Sequence, residues 1–454
     1  MKKTPYARNL ILALSALFLL SPWLAAKEKL TLEQAVRRAL ENNPDLAIDA
    51  PARAAAASEA EAGKAGYRPR LDLEQSVLGG NNPVYVFGTL LTQRNFTAAN
   101  FDLSALNRPD ALQNLQTRVL AQQNLWDFGR TRQRVDSARL GVAMADLRHE
   151  DHQRQTLLAV IETYYAVSLA RESLEAAQTA LQSAEAIVKQ AQARVDSGLA
   201  VEADLLRSQV YLASARQQEI QARGRGELAR AALNRLMGAP FAAAVGETAP
   251  LTRATYAVPL EETLWAELRK RRPDYQGLQA EVRQAELEVA GKKAQFYPTL
   301  GVFAAWEMDH PSLWEAGGSN WAAGLSLRWN VYAGGSDAAM LKTAKHRLEQ
   351  KQRQLAAMES AMQLEVYNAL VQVRTAEPQV QVMQAAENQS QESLRILRNR
   401  YEAGLATMTD VLSAEAARSA ARTALAQAIY RHRVSFAQME FAAGVLSPDS
   451  AAMK

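Results

Sequence analysis

His149 and His152 have the residue type and the spacing that could bind a metal ion. They enclose the segment His149-Glu150-Asp151-His152, which places both imidazoles on one face of a predicted helix. A solvated helix surface explains the same pattern and is the favoured interpretation. The remaining histidines are scattered along the chain: His310, His346 and His432. The sequence therefore predicts no metal site.

The sequence contains no set of residues typical of an enzyme active site. It has no cysteine, which excludes disulfides, thiolate metal sites and cysteine nucleophiles. It has no phosphate-binding loop, dinucleotide fingerprint, Gly-x-Ser-x-Gly or His-Glu-x-x-His motif, and no basic cluster interleaved with aromatic residues. We therefore predict no catalytic residues, no cofactor and no nucleic-acid partner.

Residues 1–26 are typical of a signal peptide for export. Two lysines precede an apolar run from Leu10 to Leu20, and small residues follow before the charged residue Lys27. A retained membrane anchor is the alternative, but the run is shorter than the ~20 residues of a spanning helix. Without the three basic residues of this segment, the formal charge of +4 falls to about +1.

The chain is a tandem repeat of a helical hairpin with a glycine at its tip. Residues 194–206 return as residues 400–412, each with a Gly-Leu turn and an aspartate six positions after the glycine. A spacing kept over so long an interval indicates a duplicated unit. We predict a first repeat at 27–250, a second at 251–446 and a tail at 447–454.

Each repeat is predicted to contain a short helix, a second helix, two β strands, a long helix, the tip turn and a final helix. The long helices are expected at 131–197 and 337–403, where each would reach ~100 Å at ~1.5 Å per residue. The other helices are expected at 31–42, 46–66, 204–237, 260–271, 275–295 and 410–443. The offset between repeats falls from 229 to 206 positions, so the first repeat carries a 23-residue insertion, in which Gly79–Pro83 indicates a turn.

The β segments alternate apolar and polar residues, as strands with one apolar face do. Along residues 321–332 the tryptophans and leucines share one face, opposite Ser326 and Arg328. This suits a transmembrane strand of ~9 to 11 residues, although soluble sheets alternate in the same way. Partner strands are predicted at 300–306, 71–77 and 115–126. A plain coiled-coil rod would lack these segments, and four strands cannot close a barrel without further copies of the chain.

In this order, twice along the chain, these motifs resemble those of the TolC-like outer membrane factors, the outer membrane efflux protein family. The resemblance covers essentially the whole mature sequence. Besides the Gly-Leu tips, it rests on Pro69-Arg70-Leu71, Pro298-Thr299-Leu300, Leu125 to Arg130 and Val331 to Ser336. It implies a mainly α fold with a small β part: duplicated long helical hairpins form a trimeric α-barrel, joined to a 12-stranded outer-membrane β-barrel with four strands per protomer.

The resemblance implies a passive exit duct rather than an enzyme. Members of the family are outer membrane channels of tripartite efflux or secretion systems, in which a periplasmic adaptor (membrane fusion protein) couples a homotrimer to an inner-membrane pump of the RND, ABC or MFS type. The protein would contact outer membrane lipid and project mostly into the periplasm. The substrate stays open between a drug, a metal ion and a protein. The alternative is a soluble periplasmic coiled-coil adaptor, which would have one hairpin between halves of a small β domain.

The resemblance also assigns roles to residues at the tips. The positions that contact the adaptor are Gly198, Leu199, Gly404 and Leu405. The positions of the pore constriction and of its closing hydrogen bond are Asp410, Ser413, Tyr401 and Asp204. Three Asp410 carboxylates around a threefold axis would repel one another and attract cations. Ser413 replaces a second acidic residue of the family pattern, and Ala406 replaces the arginine of a second closing link.

Overall fold

The computed structural model describes residues 29–258 and 261–453, so the predicted signal peptide lies outside the described residues. The chain forms two compact units, and each takes segments from both halves of the sequence. The tip unit comprises residues 29–44, 154–258 and 366–453, and the strand unit comprises residues 45–153 and 261–365. The predicted division into two repeats and a tail is a different partition and stays a prediction.

Helices make up most of the described chain, as predicted. They are α1 Leu32–Asn42, α2 Asp49–Lys64, α3 Pro83–Thr92, α4 Leu103–Asn107, α5 Arg130–Asp196, α6 Glu202–Leu236, α7 Glu261–Arg271, α8 Pro273–Ala294, α9 Ser336–Glu402 and α10 Met408–Ala442. Helices α5 and α9 have 67 residues each, and α6 and α10 have 35 each. The hairpins therefore keep the 206-position offset of the sequence. Among the described helices, none is both long and apolar enough to cross a membrane.

Four strands form one antiparallel sheet in the order β1-β2-β3-β4. They are β1 Arg70–Gly80, β2 Leu112–Trp126, β3 Thr299–His310 and β4 Gly318–Arg328. Arg118 pairs across the sheet with Glu307, to which it also forms an ion pair (3.2 Å). On the opposite face Trp306 lies between Val119 and Trp321. One face of the sheet is polar and the other apolar, as the alternation predicts.

The fourth strand ends four residues earlier than the sequence predicts. Its last residue, Arg328, pairs with Thr299 at the start of β3. The residue before Thr299 is Pro298, which has no N–H to continue the ladder. Trp329 instead donates its indole N–H to the carbonyl of Phe296 (3.0 Å).

The insertion of the first half folds into helices rather than an open turn. Asn82 caps α3 by accepting hydrogen bonds from the backbone N–H groups of Val84 (3.0 Å) and Tyr85 (3.3 Å). Pro83 follows in the first turn, where its missing N–H costs nothing. An Asn-Pro pair can begin a helix as well as a turn, and here it begins a helix.

In the strand unit, the helices outside the β1–β2 connection join the sheet at one end of the strands only. β1 follows α2 and β3 follows α8, whereas β2 leads into α5 and β4 leads into α9. At the start of α5, Asp127 accepts a hydrogen bond from the N–H of Thr131 (2.8 Å), and Arg130 donates to the carbonyls of Ala294 and Tyr297 (both 2.9 Å). The opposite strand ends carry the β1–β2 and β3–β4 connections.

In the tip unit, the segment between the two halves is fastened to helix α5. The Tyr164 hydroxyl donates to the carbonyl of Leu30 (2.8 Å) and accepts from the N–H of Ala249 (2.9 Å). The N–H of Leu30 donates to the carbonyl of Glu247 (3.1 Å). These bonds satisfy buried polar groups, so this segment is an ordered part of the unit.

Candidate functional site: the hairpin tips

Both hairpins of the tip unit reverse at a glycine. Gly198 (φ 72°) and Gly404 (φ 75°) adopt the left-handed conformation that glycine takes without strain. The next residues, Leu199 and Leu405, donate their N–H groups to carbonyls of the preceding helical turn (2.8 and 2.7 Å). The two leucine side chains are 77% and 68% exposed. Each tip therefore presents an apolar group on a fixed turn.

A capping box begins α10 after the second turn. The hydroxyl and the N–H of Thr407 both donate to the Asp410 carboxylate (2.7 and 2.8 Å), and the N–H of Asp410 donates to the Thr407 hydroxyl (3.2 Å). The Thr407 hydroxyl, and then its N–H, hold the pKa of Asp410 below its usual value. Asp410 and Ser413, the predicted pore residues, are both exposed.

Tyr401 lies in the apolar core behind the tips. Its side chain is 8% exposed and belongs to a cluster with buried residues of α5, α6 and α10: Ile187, Ala191, Leu205, Met408 and Val411. The Arg194 guanidinium lies 4.4 Å from the centroid of the Tyr401 ring, within the range of a cation–π attraction. Tyr401 thus joins the two hairpins by packing.

The predicted hydrogen bond between Tyr401 and Asp204 is not formed within the described chain. The Asp204 carboxylate lies 3.8 Å from the Arg207 guanidinium, one helical turn later. Arg207 also donates to the Thr409 hydroxyl of the other hairpin (3.1 Å). Asp204 therefore connects to the second hairpin through an arginine, which the sequence did not single out.

A buried carboxylate behind the second tip was also not predicted. Glu415 of α10 is buried and forms ion pairs with Arg398 of α9 and, at 3.8 Å, with Arg418. Burial, and then the charge of Glu415, raises the pKa of Tyr211 to about 12. The only sequence signal is the three-residue spacing of Glu415 and Arg418, which many surface pairs share.

The two histidines in the strand unit both contact one carboxylate. Nδ1 of His149 and Nδ1 of His152 lie 3.0 and 2.9 Å from the two carboxylate oxygens of Asp49, which is buried at the start of α2. Burial opposes the charged form of Asp49, but hydrogen bonds from the histidines outweigh it and lower the pKa of Asp49. Their helix face is therefore only partly solvated. In the described part of the chain, no three His, Asp or Glu side chains are arranged to hold a metal ion.

Both hairpins with their tips and all four strands lie within the residues that one family model matches. The family model described as "Outer membrane efflux protein" matches residues 35–239 and 264–445. The chain belongs to the outer membrane efflux protein family. Like other members, it is an outer membrane exit channel, and most of it projects into the periplasm.

Similar proteins come from secretion systems and from outer membrane channels. The alkaline protease secretion protein AprF of Pseudomonas aeruginosa is 26% identical over 72% of this chain and 68% of that protein. The outer membrane protein OprJ of the same organism is 25% identical over 67% of this chain and 64% of that protein. The solved CmeC outer membrane channel of Campylobacter jejuni has a TM-score of 0.79, at 19% identity, over 93% of this chain and 87% of that one. This last similarity concerns the fold alone.

Proposed function

We propose that this member of the outer membrane efflux protein family is the passive exit duct of a tripartite efflux or secretion system, built from three copies of the chain. A periplasmic adaptor couples the duct to an inner-membrane pump of the RND, ABC or MFS type. The pump supplies the energy and selects the substrate. The duct itself performs no chemistry and needs no cofactor.

Open strand edges support assembly from several copies. β1 and β4 are the outer strands of the sheet, and each leaves one edge without a partner among the described strands. Within a membrane such edges must be paired, because lipid cannot hydrogen-bond to them. Three copies would supply twelve strands, more than the eight of the smallest natural single-chain examples.

Exposed apolar side chains on the helices of the tip unit support the same assembly. On α6 they are Leu206, Val210, Ile220 and Leu228, and on α9 they are Tyr367, Val371, Val382 and Ile396. Large apolar side chains that recur along a helix in this way suit contact with a partner. Neighbouring copies of the chain would cover both faces.

The exposed leucines on the glycine turns carry the proposal of an adaptor contact. Leu199 and Leu405 are held outward at equivalent positions of both hairpins, so one kind of partner could bind both tips. Because the chain has no cysteine, Ser197→Cys and Ala403→Cys place single thiols beside the tips for crosslinking in cells. We expect both variants to capture the same periplasmic adaptor. Identifying the pump that works with this adaptor would then indicate the class of substrate.

Gln352→Cys, on an exposed position of α9 in the strand unit, is the matched control. It should not capture the adaptor. Capture of the same protein from Gln352→Cys, or of nothing but other copies of the chain from the tips, would contradict an adaptor contact at the tips.

Asp410 is our candidate for the pore-lining group of a cation-selective constriction, and Tyr401 and Asp204 are our candidates for residues that hold it closed. An exposed carboxylate repeated around a threefold axis attracts cations. Asp410→Ala should reduce cation selectivity and block by divalent cations in planar bilayers. Ser413→Ala, also exposed and three positions later, should leave both unchanged. If Asp410→Ala behaves like Ser413→Ala, the constriction is formed elsewhere.

A further inference from the structure

The connection between β1 and β2 is folded back against the strands. Gln93, at the end of α3, is 1% exposed, and its amide donates to the Gln113 carbonyl and to the Asn114 side-chain oxygen of β2 (both 2.9 Å). Asn114 in turn donates to the Asp309 carboxylate of β3 (2.6 Å). Helix α3 is therefore fastened to the two central strands.

Asp309 is the centre of this buried polar network. Its carboxylate is 1% exposed and accepts hydrogen bonds from the amides of Asn114 (2.6 Å), Gln116 (3.1 Å) and Asn320 (3.3 Å). In the described part of the chain, no basic side chain pairs with it. A buried carboxylate without a counter-charge is costly unless its hydrogen bonds are satisfied, so the network depends on these three neutral donors staying in place.

Two unusual backbone positions fasten α3 to β4 as well. Arg94 has a left-handed φ of 59° and donates to the Ser319 carbonyl (3.0 Å). At Gly318, an added Cβ would lie 2.0 Å from the carbonyl oxygen of Thr92, so only glycine allows this close approach. A strained arginine persists where its surroundings hold it. The end of α3 is therefore docked on the sheet.

Helix α3 lies on the polar face of the sheet. Side chains two positions apart on a strand share a face, so Asp309 shares the face of Glu307, and its pairing partner Gln116 shares the face of Arg118. Trp306 and its partners are on the opposite face. The buried network covered by α3 is thus on the polar face, at the strand ends that carry the connections.

We propose that α3 forms a second constriction, at the outer mouth of the channel. The inference rests on the proposed function of an exit duct built from several copies. When such a sheet closes in a membrane, the apolar face meets lipid and the polar face lines the lumen, so a helix docked on the polar face lies inside. Helices α2, α5, α8 and α9 leave the opposite strand ends and project into the periplasm, so the connections lie at the outer surface. Each copy then places one α3 in the mouth.

A bulky thiol label on α3 tests this placement. Leu91 is half exposed, on the side of α3 away from the buried residues Val86 and Gln93. Leu91→Cys in the otherwise cysteine-free protein should react with a maleimide polymer added from the outer side of a planar bilayer. Because the polymer would stand in the mouth, single-channel conductance should fall by at least half.

Trp314→Cys is the matched control, since Trp314 is fully exposed on the β3–β4 connection of the same sheet. Its labelling should leave the conductance unchanged. Unchanged conductance after labelling of Leu91→Cys, or equal block at both positions, would overturn the constriction. A wild-type protein that forms no conducting channel would instead contradict the exit duct itself.

Releasing α3 from the sheet should have the opposite effect. Gln93→Leu removes both hydrogen bonds to β2, so conductance should at least double and become noisier as α3 leaves the mouth. Gln75→Leu makes the same substitution on β1, where Gln75 bonds to Thr117 (2.6 Å) on the other face of the sheet, and should not change conductance. If Gln93→Leu assembles normally and conducts like the wild type, α3 does not limit the opening.

Discussion

The two hairpin tips share a turn and differ in how the next helix begins. Both reverse at a left-handed glycine and expose a leucine. After the first turn the residue before α6 is Val201, whose side chain cannot cap a helix, whereas after the second Thr407 forms a capping box with Asp410. The two repeats therefore share the glycine turn but differ in how the start of the following helix is capped.

The helices behind the tips also differ in their polar contacts. The second hairpin has the buried ion cluster of Glu415, Arg398 and Arg418. At the equivalent positions of the first hairpin the residues are Gln209, Gln192 and Leu212. Polar contacts therefore hold the second hairpin together more tightly than the first. We expect the first hairpin to open locally more often.

Among the changes that test this difference between the hairpins, removing the ring of Tyr401 should cause the largest loss of local stability. Tyr401→Ala leaves a cavity among side chains of all four helices and should cost about 3 kcal/mol of local stability. Hydrogen exchange of α9 and α10 near the tip measures this cost, and increased susceptibility to large antibiotics would report a leak. The equivalent change in the first hairpin, Val195→Ala, removes a smaller and only partly buried side chain and should cost about 1 kcal/mol.

Tyr401→Phe separates packing from hydrogen bonding at the same position. It keeps the ring and should be nearly neutral, because the Tyr401 hydroxyl is not bonded to Asp204 in the described chain. If Tyr401→Phe leaks as much as Tyr401→Ala, the hydroxyl of Tyr401 is needed for closure. The predicted hydrogen bond to Asp204 would then be formed between copies of the chain.

Neutralising Glu415 should have the second largest effect. Glu415→Gln makes this position of the second hairpin like the first and should destabilise it by roughly 1 to 2 kcal/mol, less than for a fully buried pair because Arg398 is partly exposed. Thermal unfolding measures the loss. The pKa of Tyr211 should also fall from about 12 yet stay above its ordinary value, because burial is the larger cause of its shift.

The exposed pair of Glu392 and Arg395 (2.6 Å) provides the control for Glu415. Glu392→Gln removes a carboxylate from the same hairpin and should change stability by less than about 0.5 kcal/mol. Equal losses in the two variants would mean that the buried cluster does not distinguish the second hairpin.

Exchanging the caps should give a smaller and reciprocal effect. Thr407→Val should weaken the start of α10 by about 1 kcal/mol, and Val201→Thr should strengthen the start of α6 because Asp204 already stands three positions later. Hydrogen exchange at the amides of Asp410 and Asp204 reports both changes. If neither amide responds, the caps do not cause the difference between the tips.

The smallest expected effect is on how the stability of the second tip changes as the pH falls. The folded pKa of Asp410 is lowered, so its contribution to stability is complete above the ordinary carboxyl pKa and is lost as pH falls through the lowered value. In Thr407→Val the pKa of Asp410 should rise toward its ordinary value, so this contribution to stability should shrink. A carboxyl titration by NMR measures this shift, and an unchanged midpoint would remove Thr407 as its cause.

Local signals predicted most of the helical fold. The long helices differ from the predicted 131–197 and 337–403 by only one residue at each end. The prediction came this close because glycines next to the helices determine where they begin and end. The predicted end of β4 was wrong because it depends on Pro298, which precedes the neighbouring strand β3. The docking of α3 was not foreseen because it depends on Asn114 and Asp309, which only the folded sheet brings to Gln93.

The structure places the predicted tip residues beside the turns and gives two of them partners in the same chain that the sequence did not indicate. Tyr401 meets Arg194 because helix packing brings this arginine from the first hairpin, whereas Asp204 meets Arg207 one helical turn later on α6. A sequence pattern records spacing along one helix and not the side chains that arrive from another. The roles of Asp410, Ser413, Tyr401 and Asp204 in the assembled channel stay predictions.

The triple junction at Tyr164 imposes an order on the maturation of the protein. An exported chain emerges with its amino end first, so Leu30 reaches the periplasm long before Glu247 and Ala249, to which it is later joined through Tyr164 and its own N–H. Until those residues follow, the hydrogen bonds from Leu30 to Glu247 and from Ala249 to Tyr164 cannot form, and Leu30 can bond only to Tyr164.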